Sequence, residues 1–173
     1  MSGFLGTLID RYQDHLDRQR NRPFLEAAMA ACALISIADG DISLSERIKV
    51  DQILETLEAL KVFDPHEGVE LFNYYVDGIR RSPRQGRDVA IKALTGVGEN
   101  PEVARLLIRL CCAVSEADGA KGLPDQIEIV SLCSLLGVEP DACGLYTDDE
   151  PAKALGLLDD RPGGEATGTK RTV

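Results

Sequence analysis

The sequence predicts an all-α domain of about seven helices, with two related helix–turn–helix units inside it. Three observations lead there. Apolar residues recur with a 3.6-residue period along most of the chain, and no segment makes a convincing strand. Where the period restarts, a capping residue or a proline usually stands. A stretch containing Ala-Asp-Gly also occurs twice, at 38–40 and 117–119, each time after an apolar run.

Phe4, Leu5, Leu8, Ile9, Tyr12 and Leu16 share one face of a first helix over about 3–20, which Asn21-Arg22-Pro23 should end. The second helix, 23–38, is apolar nearly all round and belongs at the centre. The third follows the first Ala-Asp-Gly, with Ile48, Ile53, Leu54, Leu57 and Leu60 turned inward. Asp64-Pro65-His66-Glu67 reads as the start of a fourth, which packs Val69, Leu71, Phe72, Tyr75, Val76 and Ile79. Ser82-Pro83 opens a fifth, with Val89, Ala90 and Leu94 as core residues. Asn100-Pro101-Glu102 opens a sixth, carrying Leu106, Leu107, Leu110 and Val114. The seventh starts near Pro124 and stops at Gly137, a left-handed cap. Residues 1–140 therefore read as the helical domain. Residues 141–173 read as an acidic, then Gly-rich, largely disordered tail with room for a short helix at 149–158.

Shifted by 79 residues, "CALISIADGDISLSERI" lies over "CCAVSEADGAKGLPDQI" without a gap. Cys32 meets Cys111, Ser36 meets Ser115, Leu44 meets Leu123, Ile48 meets Ile127, and Glu46 meets Asp125. Two units related by a pseudo-dyad, burying their apolar faces together, are the simple inference.

Composition narrows the function. A net charge of −10 argues against a nucleic-acid partner and favours cations or basic protein surfaces. The N-terminus has no basic segment of the secretory kind. The longest apolar-rich run, Ala27 to Ala38, is far short of the ~20 residues a membrane span needs, so a soluble cytoplasmic protein is expected. Five cysteines without a Cys-x-x-C pair, and two histidines, disfavour structural zinc; buried reduced thiols are the simplest reading. Cys32 and Cys111, at equivalent places, could meet across the pseudo-dyad. "IRRSPRQGR", 79–87, is the one dense basic stretch; Arg80 and Arg81 complement a helix C-terminus there, or the patch meets an anionic partner.

The acidic connection "ADGDISLSE" poses the sharpest question. An EF-hand frame puts Asp39 at loop position 5 and Glu46 at 12, but positions 1 and 3 are then Ile35 and Ile37, which cannot bind a cation. The second copy has Val114 at position 1 and Lys121 at the apolar position 8. A helix connection explains more: Gly40 supplies a left-handed turn, and Ser43 and Glu46 form a capping box. Asp39 and Asp118 stay unexplained, since an acid at a helix C-terminus opposes the dipole. Acids from both halves, Asp39, Asp41 and Glu46 with Asp118 and Asp125, would have to converge to hold a weak, partly hydrated Ca²⁺ or Mg²⁺.

These residues carry a resemblance. The doubled helix–Ala-Asp-Gly–helix pattern, in "AAMAACALISIADGDISLSERIKV" and "LIRLCCAVSEADGAKGLPDQIEIVSLCSLLGV", resembles the tellurite-resistance TerB family over roughly residues 5–140. The resemblance implies a non-enzymatic, cytoplasmic stress-response domain, membrane-associated through a partner. That partner would be a membrane protein of the TerC type, alongside calcium-binding TerD-type proteins. It also implies a metal-related role for the acids after each helix. Asp39, Gly40, Asp41, Ser43 and Glu46 fit the family pattern; Ala120, Lys121 and Asp125 depart from it in the second copy. The alternatives are a purely structural interaction module without metal and, more distantly, a hydrolase using a carboxylate-bound metal.

Overall fold

A computed structural model describes residues 3–117, 119 and 122–143, with side chains described at 13–14, 16–117, 119 and 122–141. Among them there are six α-helices and no strand: α1 (Gly3–Ser36), α2 (Leu44–Thr56), α3 (Pro65–Arg81), α4 (Pro83–Val97), α5 (Pro101–Ser115) and α6 (Leu123–Leu136). Short 3₁₀ turns occupy Glu58–Leu60 and Pro140–Cys143. Residues 144–173, expected as tail, lie outside the described residues, as do the side chains of Phe4, Leu5, Leu8, Ile9 and Tyr12.

The expected break at Asn21-Arg22-Pro23 does not occur: the first two helices are one, and six replace about seven. Pro23 removes one helical N–H, but it is exposed, and so is Gln19, whose carbonyl loses that donor. Water can therefore serve the orphaned carbonyl, and the helix continues. Arg18 Nε donates to the Val62 carbonyl at 2.9 Å, and Arg22 pairs with Glu26 and Glu67 at 3.1 and 3.4 Å, tying this stretch to the start of α3.

The second half of α1 is the axis of the molecule. Every side chain from Ala27 to Ser36 is buried, and α3, α4, α5 and α6 pack against it. Its five alanines here let the neighbouring helices come close. Phe72, Leu94, Leu107, Ile108, Ile129 and Leu132 fill the space around it. Two inward assignments fail: Ile48 and Val89 are 47% and 45% exposed.

α3 and α4 turn sharply at Ser82, whose extended backbone stops one helix and starts the next. They then cross at two glycines. A Cβ on Gly86 would overlap the Gly78 carbonyl carbon and the Ile79 nitrogen.

Candidate functional site

At their described residues the two acidic connections make matching backbone hydrogen bonds. Ala38 N–H donates to the Ile35 carbonyl at 3.0 Å and Gly40 N–H to Ile37 at 3.0 Å. Their counterparts are Ala117 to Val114 at 3.1 Å and Gly119 to Glu116 at 3.0 Å. Gly40 and Gly119 take φ of +101° and +92°, a region side-chain-bearing residues resist. α2 and α6 begin at equivalent residues, Leu44 and Leu123. The cores meet as expected: the Cys111 thiol lies 4.0 Å from the Ala31 carbonyl and beside Cys32.

The acids in the two loops are used differently. Glu46 is buried and closes the capping box: its carboxylate accepts from Ser43 N–H at 2.8 Å, and Ser43 Oγ accepts from Glu46 N–H at 3.1 Å. Glu46→Ala removes both the box and a buried carboxylate; a loss of about 1–2 kcal/mol in chemical denaturation is expected. The second repeat has Gly122 in place of Ser43 and makes no side-chain cap bond. Its acid, the buried Asp125, accepts instead from the Ser115 hydroxyl at 2.9 Å. The counterpart of Ser115 is Ser36, whose buried Oγ has no hydrogen-bond partner among the described residues.

Asp39, the residue the sequence leaves without a task, is exposed, and its Oδ1 accepts from Asp41 N–H at 3.2 Å. This Asx-type turn spans Gly40 and gives the acid a local role that offsets its poor position against the helix dipole. Asp41 is exposed as well. Asp118 lies outside the described residues. Among the described residues, no three His, Cys, Asp or Glu side chains form a group able to hold a metal ion; Asp39, Asp41, Glu46 and Asp125 are not brought together.

The thiols are buried too. Cys32, Cys111, Cys112 and Cys133 lie buried in the core as thiols; the Cys143 side chain is outside the described set. Burial raises Cys32 from 9.0 to about 12 and pushes Cys111 well above 9, the latter helped by the neighbouring thiols. A thiol reagent is therefore expected to leave these four buried thiols untouched in the native protein and to modify them after denaturation. The folded state holds the Cys32 and Cys111 protons more tightly, so their contribution to stability is complete below pH 9 and is lost as pH rises toward 12.

Sequence reasoning missed an exposed aliphatic pair that each repeat carries beside its acidic loop. Leu44 and Ile48 on α2 are 73% and 47% exposed; Leu123 and Ile127 on α6 are 68% and 62% exposed. The signal was available, because both pairs align under the 79-residue shift and sit at i, i+4. On α6 the exposed residues Leu123, Pro124, Gln126, Ile127, Val130, Ser131, Ser134 and Leu135 include no charge. No described helix is long and apolar enough to cross a membrane.

The chain is similar to known proteins. The family described as Tellurite resistance protein TerB matches residues 25–146. The Tellurium resistance protein TerB of Alcaligenes sp is 32% identical over 93 residues, covering 54% of this chain and 76% of that relative. No solved structure matches the chain significantly.

Proposed function

The chain belongs to the TerB family, and from that premise we propose that it serves tellurite resistance as a non-catalytic interaction module in the cytoplasm. The observation that carries this reading is the repeated aliphatic pair. Leu44 with Ile48, and Leu123 with Ile127, hold apolar surface in water at equivalent places. Neighbouring exposed aliphatics at i and i+4 suit the apolar surface of a partner. The family suggests partners: a TerC-type membrane protein, which would also bring the chain to a membrane, and TerD-type proteins.

Titration of the protein with a TerD-type protein, and with the soluble segments of a TerC-type protein, tests this. Binding to at least one is expected, with Leu123→Gln/Ile127→Gln weakening it about tenfold or more. No binding to either, or binding unchanged by the substitutions, would contradict the module.

One observation favours a second reading, a weakly held divalent cation. Asp39 and Asp41 place two exposed carboxylates on one loop, and Asp41 has no side-chain hydrogen bond or ion pair among the described residues. In that reading Asp39 and Asp41 are the protein ligands and water completes the shell of Ca²⁺ or Mg²⁺. Calorimetry at millimolar metal is expected to show heat that Asp39→Ala/Asp41→Ala removes; absence of heat rejects the cation.

A further inference from the structure

The basic stretch 79–87 lies outside the two acidic loops and the aliphatic pairs. It borders a cleft of about 290 Å³ between the end of α3 and the start of α4. Its lining combines Gly78 and Gly86, where the two helices cross, with the polar side chains of Asp77, Arg81, Ser82 and Gln85 and with Tyr74, Tyr75 and Val89.

Three features make this a place for a ligand. The first is charge. Arg80, Arg81 and Arg84 make no hydrogen bond or ion pair among the described residues, whereas Arg87 is held by Glu128 at 2.6 Å. Three uncommitted guanidinium groups within five positions stand out in a chain of net charge −10. The second is apolar surface. Tyr74 is 61% exposed, standing edge-on to Tyr75 with ring centres 5.3 Å apart, and Val89 is turned out of the core beside it. The third supports the first: the amino end of α4 has no acid in its first turn, and Ser82 makes no side-chain cap bond there. Its N–H groups add to the positive potential at the cleft. Asp77, also in the lining, makes no ion pair with Arg81.

We propose that this cleft binds an acidic peptide segment that carries an apolar or aromatic residue. Its carboxylates meet Arg81 in the cleft, where Arg84, in the first turn of α4 just outside the lining, adds positive charge, and its apolar side chain lies against Tyr74 and Val89. Bidentate guanidinium–carboxylate contacts give the orientation, and the tyrosine surface gives the preference for an apolar neighbour. A free inorganic anion would use only the arginine charge and leave the tyrosine surface bare. A long polyanion would run from the cleft onto an acidic protein surface. The volume suits one side chain with its flanking carboxylates, being at the small end of ligand pockets. The proposal goes beyond the module reading and rests on different residues, so either can fail alone.

The test is an amide NMR titration of the full chain with the capped pentapeptide Asp-Glu-Phe-Asp-Glu. Parallel titrations use Asn-Gln-Phe-Asn-Gln and inorganic phosphate. Shifts confined to residues 74–89 are expected, at a sub-millimolar Kd that weakens about tenfold in about 0.5 M salt. Arg81→Gln/Arg84→Gln and, separately, Tyr74→Ala are each expected to weaken binding about fivefold or more. All three positions are exposed, so the fold should persist, and an unchanged melting curve checks that it does. Phosphate binding as tightly as the acidic peptide, equal binding of the uncharged peptide, or no shift with about 5 mM peptide would overturn the proposal.

Discussion

Gly86→Ala is expected to destabilise the protein more than any other single methyl insertion described here. The added carbon would overlap the backbone of Gly78 and Ile79 across the α3–α4 crossing. A clash with a flexible side chain can relax by a rotamer change, as at Gly68, where the obstacle is the end of Leu54. A clash with backbone can relax only by moving a helix. Both helices pack on the buried half of α1, so moving either disturbs the core. Overpacking commonly costs ~1–3 kcal/mol; for this rigid contact about 3 kcal/mol or more is expected. Chemical denaturation measures it, and a midpoint equal to that of the unsubstituted protein would show that the helices do not cross so closely. The same substitution should distort the α3–α4 cleft.

Ser115→Ala is expected to cost about 1.5–3 kcal/mol, while its repeat counterpart Ser36→Ala should cost nothing or add about 1 kcal/mol of stability. The contrast follows from what each hydroxyl does. Ser115 donates to a buried carboxylate, so its loss leaves Asp125 short of a donor in a poorly solvated place. Ser36 Oγ is buried without a partner among the described residues, so removing it discards an unsatisfied group and leaves almost the same shape. Denaturation of the two variants side by side decides this. Equal losses would mean that the two repeats use their buried serines alike.

Much of this architecture was legible in the sequence wherever local chemistry determines it. Asp64 and Asn100 cap α3 and α5 through the N–H two residues on, with Pro at the first helical position, as their dipeptides imply. The capping box at Ser43 and the left-handed Gly40 and Gly137 are equally local. The 79-residue repeat emerged because its members must occupy equivalent core positions. What failed depends on context. Pro23 ends a helix by rule, but whether it does depends on which face it occupies, and here that face is solvent. Ile48 and Val89 have the right spacing for a core, yet periodicity cannot tell a covered stripe from one awaiting a partner. Gly78 and Gly86, eight residues apart around Ser82-Pro83, gave a readable hint: a glycine inside a helix usually has a packing reason.

The acidic loops show the same division. Glu46 was readable because its partner is three residues away. Asp39 opposes the helix dipole, and a hydrogen bond to N–H groups at the start of the next helix would offset that; the donor is instead Asp41 N–H, inside the loop. Asp125 was grouped with Glu46 by alignment, but Gly122 offers no hydroxyl, and the acid turns to Ser115 in the preceding helix instead. Equivalent positions therefore do not imply equivalent chemistry, even within one chain.

The central claim is that the paired aliphatics beside the loops, rather than the loop acids, carry the function. The most direct measurement is tellurite tolerance in cells that depend on this chain. The comparison is between Leu44→Gln/Ile48→Gln/Leu123→Gln/Ile127→Gln and Asp39→Ala/Asp41→Ala, each checked for an unchanged melting curve. Loss of tolerance with the four glutamines and full tolerance with the two alanines is the predicted result. Full tolerance with the four glutamines would contradict the account.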